Sequence, residues 1–197
     1  MNSQNSINKP VLGITIGDPA GIGPEIVLKT LTDEEVFKDT IPLVIGNTAI
    51  LRQMADKLGV NLRFSEWEPG SELVYTDGFV PLLEVEFADR VPNFGKPTRA
   101  AGRMILDIFR QAVDLALSRQ IDALVTAPIC KESLAMAGCD CLGQTDLLAK
   151  LSDTTDYAMM LANSHFYVVH VTAHRPLVEA CTSITSEEVL QKIRLAA

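Results

Sequence analysis

Gly17-Asp18-Pro19-Ala20-Gly21-Ile22-Gly23-Pro24-Glu25 is the stretch that decides how this chain folds. An apolar run, Val11 to Ile16, precedes it, and a helix-like run, Ile26 to Leu31, comes after it. Strand, glycine-rich turn and helix start in that order make a place to hold an anion. The first N–H groups of a helix lack internal partners, and the helix dipole favours negative charge there. Gly21 and Gly23 are expected to permit positive φ and close approach of a ligand, and Pro24 suits the first helical position. The spacing fits neither G-x-G-x-x-G nor the Walker loop, so no standard nucleotide motif applies. A tight strand-to-helix turn with no ligand is the competing reading, since such turns recur in α/β folds.

Working outward, apolar runs alternate with helical patterns. Val11–Ile16 and Pro42–Ile45 read as strands, Glu25–Leu31 as a helix, and Thr48–Leu58 as a helix ended by Gly59. Asn61–Phe64 reads as a short strand, Trp67–Gly78 as turn-rich, and Leu82–Phe87 as a weak alternation. Thr98–Leu117 is the longest helical pattern, with Met104, Ile105, Ile108, Phe109, Val113 and Leu117 on one apolar stripe. Ile121–Thr126 and His165–Thr172 read as strands buried on both faces. Lys131–Ala137, Asp146–Leu151 and Ser186–Leu195 read as helices, the last capped by Ser186. Strands spaced by helices predict a doubly wound α/β sheet with at least some parallel strands.

Composition narrows the function. Of 197 residues, 25 are acidic and 17 basic, giving a net charge of −8. That balance, without a basic stripe, argues against nucleic acid as a partner. The polar start, Met1 to Lys9, lacks the apolar core of a signal peptide, and no run approaches the roughly 20 apolar residues of a membrane span. A cytoplasmic location is expected. Cys130, Cys139, Cys141 and Cys181 form no C-x-x-C pair, so reduced thiols are expected rather than a metal site.

Few side chains stand out for chemistry. Lys131 follows Thr126-Ala127-Pro128, where a strand end turns into a helix. A lysine there can neutralise a phosphate or an enolate-like oxygen, or be a solvated first-turn residue. Asp18 is placed to orient a substrate hydroxyl or the lysine, or to cap the following helix. Thr98, Arg99 and Arg103 open the long helix and can either cradle phosphate or be solvated. His165, His170 and His174 fall within ten residues. The segment Phe166–Thr172 is β-branched and aromatic, so strand is preferred to helix and the i, i+4 pair His170/His174 need not converge. Structural roles are expected for His165 and His170.

Five ordered segments carry a resemblance. Gly13-Ile14-Thr15-Ile16 with Gly17–Glu25 comes first, then Gly95-Lys96-Pro97-Thr98 with Ala101-Gly102. Val125–Glu132 with Ala137-Gly138, Gly143-Gln144-Thr145-Asp146 and Val171–Leu177 complete the series. Together they resemble the 4-hydroxythreonine-4-phosphate dehydrogenase family. The resemblance implies an isopropylmalate-dehydrogenase-like fold: two α/β lobes built on a mixed sheet, one over 1–125 and the start of another over 126–197. The family runs on well past the position of Ala197, so a chain with its C-terminal part missing is expected. In the family that C-terminal part supplies further metal-binding histidines and most cofactor contacts, so this chain is expected to be inactive alone.

The resemblance also implies NAD as cofactor, a divalent metal (Zn, Mg or Co) and a homodimer. The implied reaction is oxidative decarboxylation of a small phosphorylated substrate such as 4-phosphohydroxy-L-threonine. His174 matches the first of the family's metal-binding histidines, one ligand of an incomplete set. Gln144 and Thr145 sit where the family has a histidine and a threonine that hold substrate. Glutamine exchanges hydrogen bonds but cannot carry a proton, so a 4-phospho-D-threonate or erythronate substrate is an alternative. A non-catalytic, shortened paralogue that keeps an anion-binding or interaction role is another.

Overall fold

The computed structural model describes residues 9–73, 78–87, 93–141, 143–173 and 175–197. The chain forms two compact units, residues 1–151 and 152–197. In the first, the order is β1 (Val11–Thr15), α1 (Gly23–Thr30), α2 (Val36–Asp39), β2 (Ile41–Gly46), α3 (Thr48–Leu58), β3 (Arg63–Glu66), β4 (Phe79–Glu84), α4 (Arg99–Leu117), β5 (Ala123–Thr126), α5 (Lys131–Met136) and α6 (Gln144–Leu151). The strands make one sheet in the order β3-β4-β2-β1-β5. Each pairing in it is parallel, with Thr15 opposite both Ile45 and Thr126. The expected mixed sheet is thus a parallel one.

This order explains where a ligand can sit. The β1-to-β2 crossover moves one way across the sheet, and the β4-to-β5 crossover moves back past β1. Crossovers are right-handed, so α1 and α4 lie on opposite faces and the sheet is doubly wound. The packing agrees: α1 lies against α3, and α4 against α5 and α6. The direction of winding reverses between β1 and β5, and the carboxyl ends of strands at such a reversal open a crevice.

The core is aliphatic. Ile16, Leu28, Leu43, Ile45, Leu51, Leu82, Ile105, Ile108 and Phe109 are almost fully removed from water. The stripe on α4 is buried through Val113 but not at Leu117, which is 64% exposed in the last turn. β5 departs from the doubly buried strand expected of it. Ala123 and Val125 face outward while Leu124 and Thr126 are half-buried. As an edge strand contacted by α4, β5 is well covered on one face only. Strands β3 and β4 begin two residues later and three earlier than the sequence suggests, and α2 has too few apolar residues to show a period.

The second unit holds an antiparallel pair, β6 (Met160–Ala162) with β7 (Tyr167–Val169), then α7 (Leu177–Ser183) and α8 (Ser186–Ala196). The expected buried strand over His165–Thr172 is instead a short hairpin arm with Tyr167 72% exposed. Its β-branched and aromatic residues set the strand, but a unit this small buries few of them. Ser186 is the first residue of α8 rather than its cap. Thr185 caps the helix, its hydroxyl accepting from Glu188 N–H while the Glu188 carboxylate accepts from Thr185 N–H. Among the described residues no helix is long and apolar enough to cross a membrane.

Candidate functional site at the carboxyl edge of the sheet

Chain direction at the end of β1 is set by Gly17. Its φ is +67°, and a Cβ there would come within 2.3 Å of the Pro128 carbonyl oxygen, so only glycine fits. Asp18 N–H donates to that same carbonyl at 3.0 Å, joining the first segment to the turn after β5. Gly21 and Gly23 do not have the positive φ expected of them. Gly23 is needed for close approach instead, since a Cβ there would lie 2.1 Å from the Ile16 carbonyl oxygen. Pro24 occupies the first turn of α1 as expected, and no side chain caps that helix start.

Asp18 is buried, and its Oδ1 accepts from Ala20 N–H at 2.9 Å. The carboxylate therefore closes the turn rather than capping α1. Burial pushes its pKa upward, while the Ala20 N–H opposes that shift. Ala20 also ties in the second segment, because its carbonyl accepts from Gly95 N–H at 2.7 Å. Three residues on, Thr98 caps α4 by accepting from Ala101 N–H, and Thr98 N–H donates to the Ser133 hydroxyl on α5. Arg99 and Arg103 point their exposed side chains from the first turns of α4.

Gln144 opens α6 and grips the end of β5 at two points. Its Nε2 donates to the Ala127 carbonyl at 2.7 Å, and its Oε1 accepts from the Thr126 hydroxyl at 3.0 Å. Thr145 beside it is exposed. Lys131, the exposed first residue of α5, runs its side chain past the same loop, with Cε 3.9 Å from where a Cβ on Gly143 would stand. Segments separated by up to 127 positions, Gly17 to Gln144, are thus joined at one edge of the sheet.

Other expectations fall elsewhere. His174 lies outside the described residues. His165 and His170 belong to the second unit, where His165 N–H donates to Asn163 Oδ1 and His170 N–H to the Met159 carbonyl. Among the described residues no group of three or more His, Cys, Asp or Glu could hold a metal ion. Sequence reasoning missed the polar knot at the ends of β2 and β4. There Asn47 caps α3 and donates to Glu84 Oε1 at 2.7 Å, and Thr48 N–H donates to the same carboxylate. Asn47 ahead of a helical run was the available signal. Thr126 and Ser133 carried no signal, because their partners are remote in sequence.

Comparison with known proteins adds a family. Residues 38–197 match the model of the pyridoxal phosphate biosynthetic protein PdxA. A protein of Oceanobacillus iheyensis, provisionally named a D-threonate 4-phosphate dehydrogenase, is 35% identical over 189 residues, 95% of this chain and 57% of its own length. A 4-hydroxythreonine-4-phosphate dehydrogenase of Desulforapulum autotrophicum is 35% identical over 193 residues, 96% of this chain and 56% of its own. The crystal structure of a 4-hydroxythreonine-4-phosphate dehydrogenase from Burkholderia phymatum superposes with a TM-score of 0.88 at 34% identity, covering 94% of this chain and 56% of that one. The chain spans little more than half the length of the curated relatives it matches.

Proposed function

This chain belongs to the PdxA family of pyridoxal phosphate biosynthetic proteins, and we propose that it forms the substrate-holding face of a dehydrogenase acting on a phosphorylated hydroxy acid. One observation carries the reading. The Gly17–Glu25 turn, the Gly95–Thr98 loop, Lys131 and Gln144 are drawn together at the carboxyl edge of β1 and β5, where the winding reverses. We read residues 1–125 as belonging to one lobe of the fold and 126–197 as opening another.

Each residue then has a task. The uncapped start of α1 and the Lys131 ammonium draw the anionic ends of the substrate. Gln144 uses its second Nε2 N–H, and Thr145 its hydroxyl, to hold a substrate oxygen. Asp18, its proton affinity raised by burial, holds or accepts a proton next to the turn. A nicotinamide cofactor, NAD, supplies the hydride acceptor that a dehydrogenase requires. We assign no described residue to it. His174 is the residue we would assign to a divalent metal; among the described residues no group of three or more His, Cys, Asp or Glu could hold one. We further read the protein as cytoplasmic, and as a homodimer; for the dimer alone, the exposed Tyr167, Leu177 and Val178 offer apolar surface.

Calorimetric titration with 4-phosphohydroxy-L-threonine, 4-phospho-D-threonate and their unphosphorylated parents tests this reading. Both phosphorylated acids are expected to bind, one of them more tightly, and Lys131→Met is expected to weaken them about tenfold. Equal binding of phosphorylated and unphosphorylated acids would sink the proposal. By itself this chain is expected to form no NADH from the tighter ligand, and robust turnover by it would overturn that expectation.

A further inference from the structure

We propose that Cys139 and Cys141 form a peroxide-reactive dithiol beside Lys150, in which Cys141 is the attacking sulfur and Cys139 the thiol that closes a disulfide. Both lie in the irregular segment between α5 and α6, half-buried and unbridged. Only Asp140 separates them in the chain, and the electrostatics of the Cys139 thiol are set in part by the sulfur and the backbone N–H of Cys141. The segment is irregular, tied to α5 by Cys139 N–H donating to the Leu134 carbonyl at 3.0 Å, and local backbone freedom is what disulfide geometry demands.

A cation is held over this pair. Lys150 Nζ lies 3.8 Å from Cys141 Sγ. It is anchored there by donating to the Asp140 carbonyl at 2.6 Å and by pairing with the Asp146 carboxylate at 3.1 Å. An ammonium so placed stabilises negative charge developing on a sulfur, the condition under which thiols attack. The two cysteines are not equivalent. Burial first, and then the hydrogen bond and charge of Cys141, push the Cys139 thiol up to about 11. Cys139 therefore keeps its proton at neutral pH, which leaves the first attack to Cys141. Lys150 acts on both cysteines, and Asp146 and Asp140 act on Lys150 in turn.

The chemistry balances with a hydroperoxide as oxidant. Cys141 loses its thiol proton to water, and its sulfur attacks the peroxide. An S–O bond forms, the O–O bond breaks, and the departing oxygen leaves as hydroxide that takes up a proton. The Cys139 sulfur then attacks the Cys141 sulfenic acid, forming the S–S bond and releasing water that carries the Cys139 proton. The two sulfurs together lose two electrons, and the peroxide gains them.

Trypsin should release residues 132–150 as one peptide, which contains Cys139 and Cys141 but neither Cys130 nor Cys181. After treatment of the whole chain with equimolar hydrogen peroxide, this peptide is expected to lose two hydrogens before Cys181 reacts. Oxidation of Met136 adds an oxygen and is counted apart. In Cys139→Ser the product should become a Cys141 sulfenic acid trapped by dimedone, whereas Cys141→Ser should trap little. Lys150→Met removes a tryptic site, so it is read on the Glu-C peptide 133–179, which also excludes Cys130 and Cys181; it should slow the reaction at least about threefold and leave Cys181 unchanged. The proposal fails if the peptide stays reduced while Cys181 oxidises, if the two serine variants label alike, or if Lys150→Met has no effect on the rate.

Discussion

Gln144 Nε2 donates to the Ala127 carbonyl at 2.7 Å while its Oε1 accepts a hydrogen bond from the Thr126 hydroxyl at 3.0 Å. A residue at the start of α6 therefore closes the end of β5, and one side chain couples two segments that sequence reading treats separately. Removing it leaves a partly buried carbonyl and hydroxyl without protein partners. Gln144→Ala is expected to lower stability by about 1 kcal/mol. Urea unfolding would check this, and an unchanged midpoint would mean that the two bonds carry no net stabilisation.

Gly102 on α4 stands against α5, where a Cβ would come 1.9 Å from the Ser133 carbonyl oxygen. A backbone atom cannot rotate away, so Gly102→Ala has to push the two helices apart. About 3 kcal/mol of destabilisation is expected, outweighing the gain in helix propensity of about 1 kcal/mol. Gly143→Ala is the control, since its new methyl would meet only Lys131 Cε at 3.9 Å. Comparable thermal melts for the two variants would contradict the close helix contact.

Asp18 makes stability fall as pH rises. Its folded pKa lies above the unfolded value because burial disfavours the charged form. Folding thus takes up a proton between the two values. Asp18 contributes most below the unfolded pKa, near 4, and that contribution is lost as pH climbs through the folded pKa. Asp18→Asn keeps an oxygen for Ala20 N–H and removes the charge. It is expected to melt higher than the parent at pH 7, with the difference closing towards pH 4. A pH-independent difference would locate the effect elsewhere.

The cap of α8 separates two neighbouring residues. Thr185→Ala removes the hydroxyl that accepts from Glu188 N–H and is expected to cost about 1 kcal/mol of local stability. Ser186→Ala, one residue on, should be nearly neutral. Amide exchange in the first turn of α8 distinguishes them; equal protection in both variants would mean that the box does not hold the helix.

Much of this was legible in the chain. Gly17–Glu25 announced a strand, a turn and a helix start, because glycine, proline and an apolar run each act locally. The α4 stripe was legible for the same reason, except at Leu117, where periodicity continues but the core ends. Burial of β5 was misjudged because sheet edges are set by topology, which apolar content does not reveal. Cap position at Thr185 was missed by one residue because Thr and Ser are equally competent and only the Glu188 partner decides. The hydrogen bonds of Thr126, Ser133 and Gln144 were unreadable for a different reason. Each depends on a partner brought near by the fold, and no pattern along the chain encodes that meeting.

The main-chain links from Asp18 to Pro128 and from Gly95 to Ala20 have an evolutionary corollary. Amide and carbonyl groups are common to nearly every residue type, so side-chain changes nearby leave these rivets in place as long as Gly17 stays glycine. Such a rim can trade one recognition chemistry for another while its outline persists, which makes it a mount on which new selectivities can be tried at little structural risk.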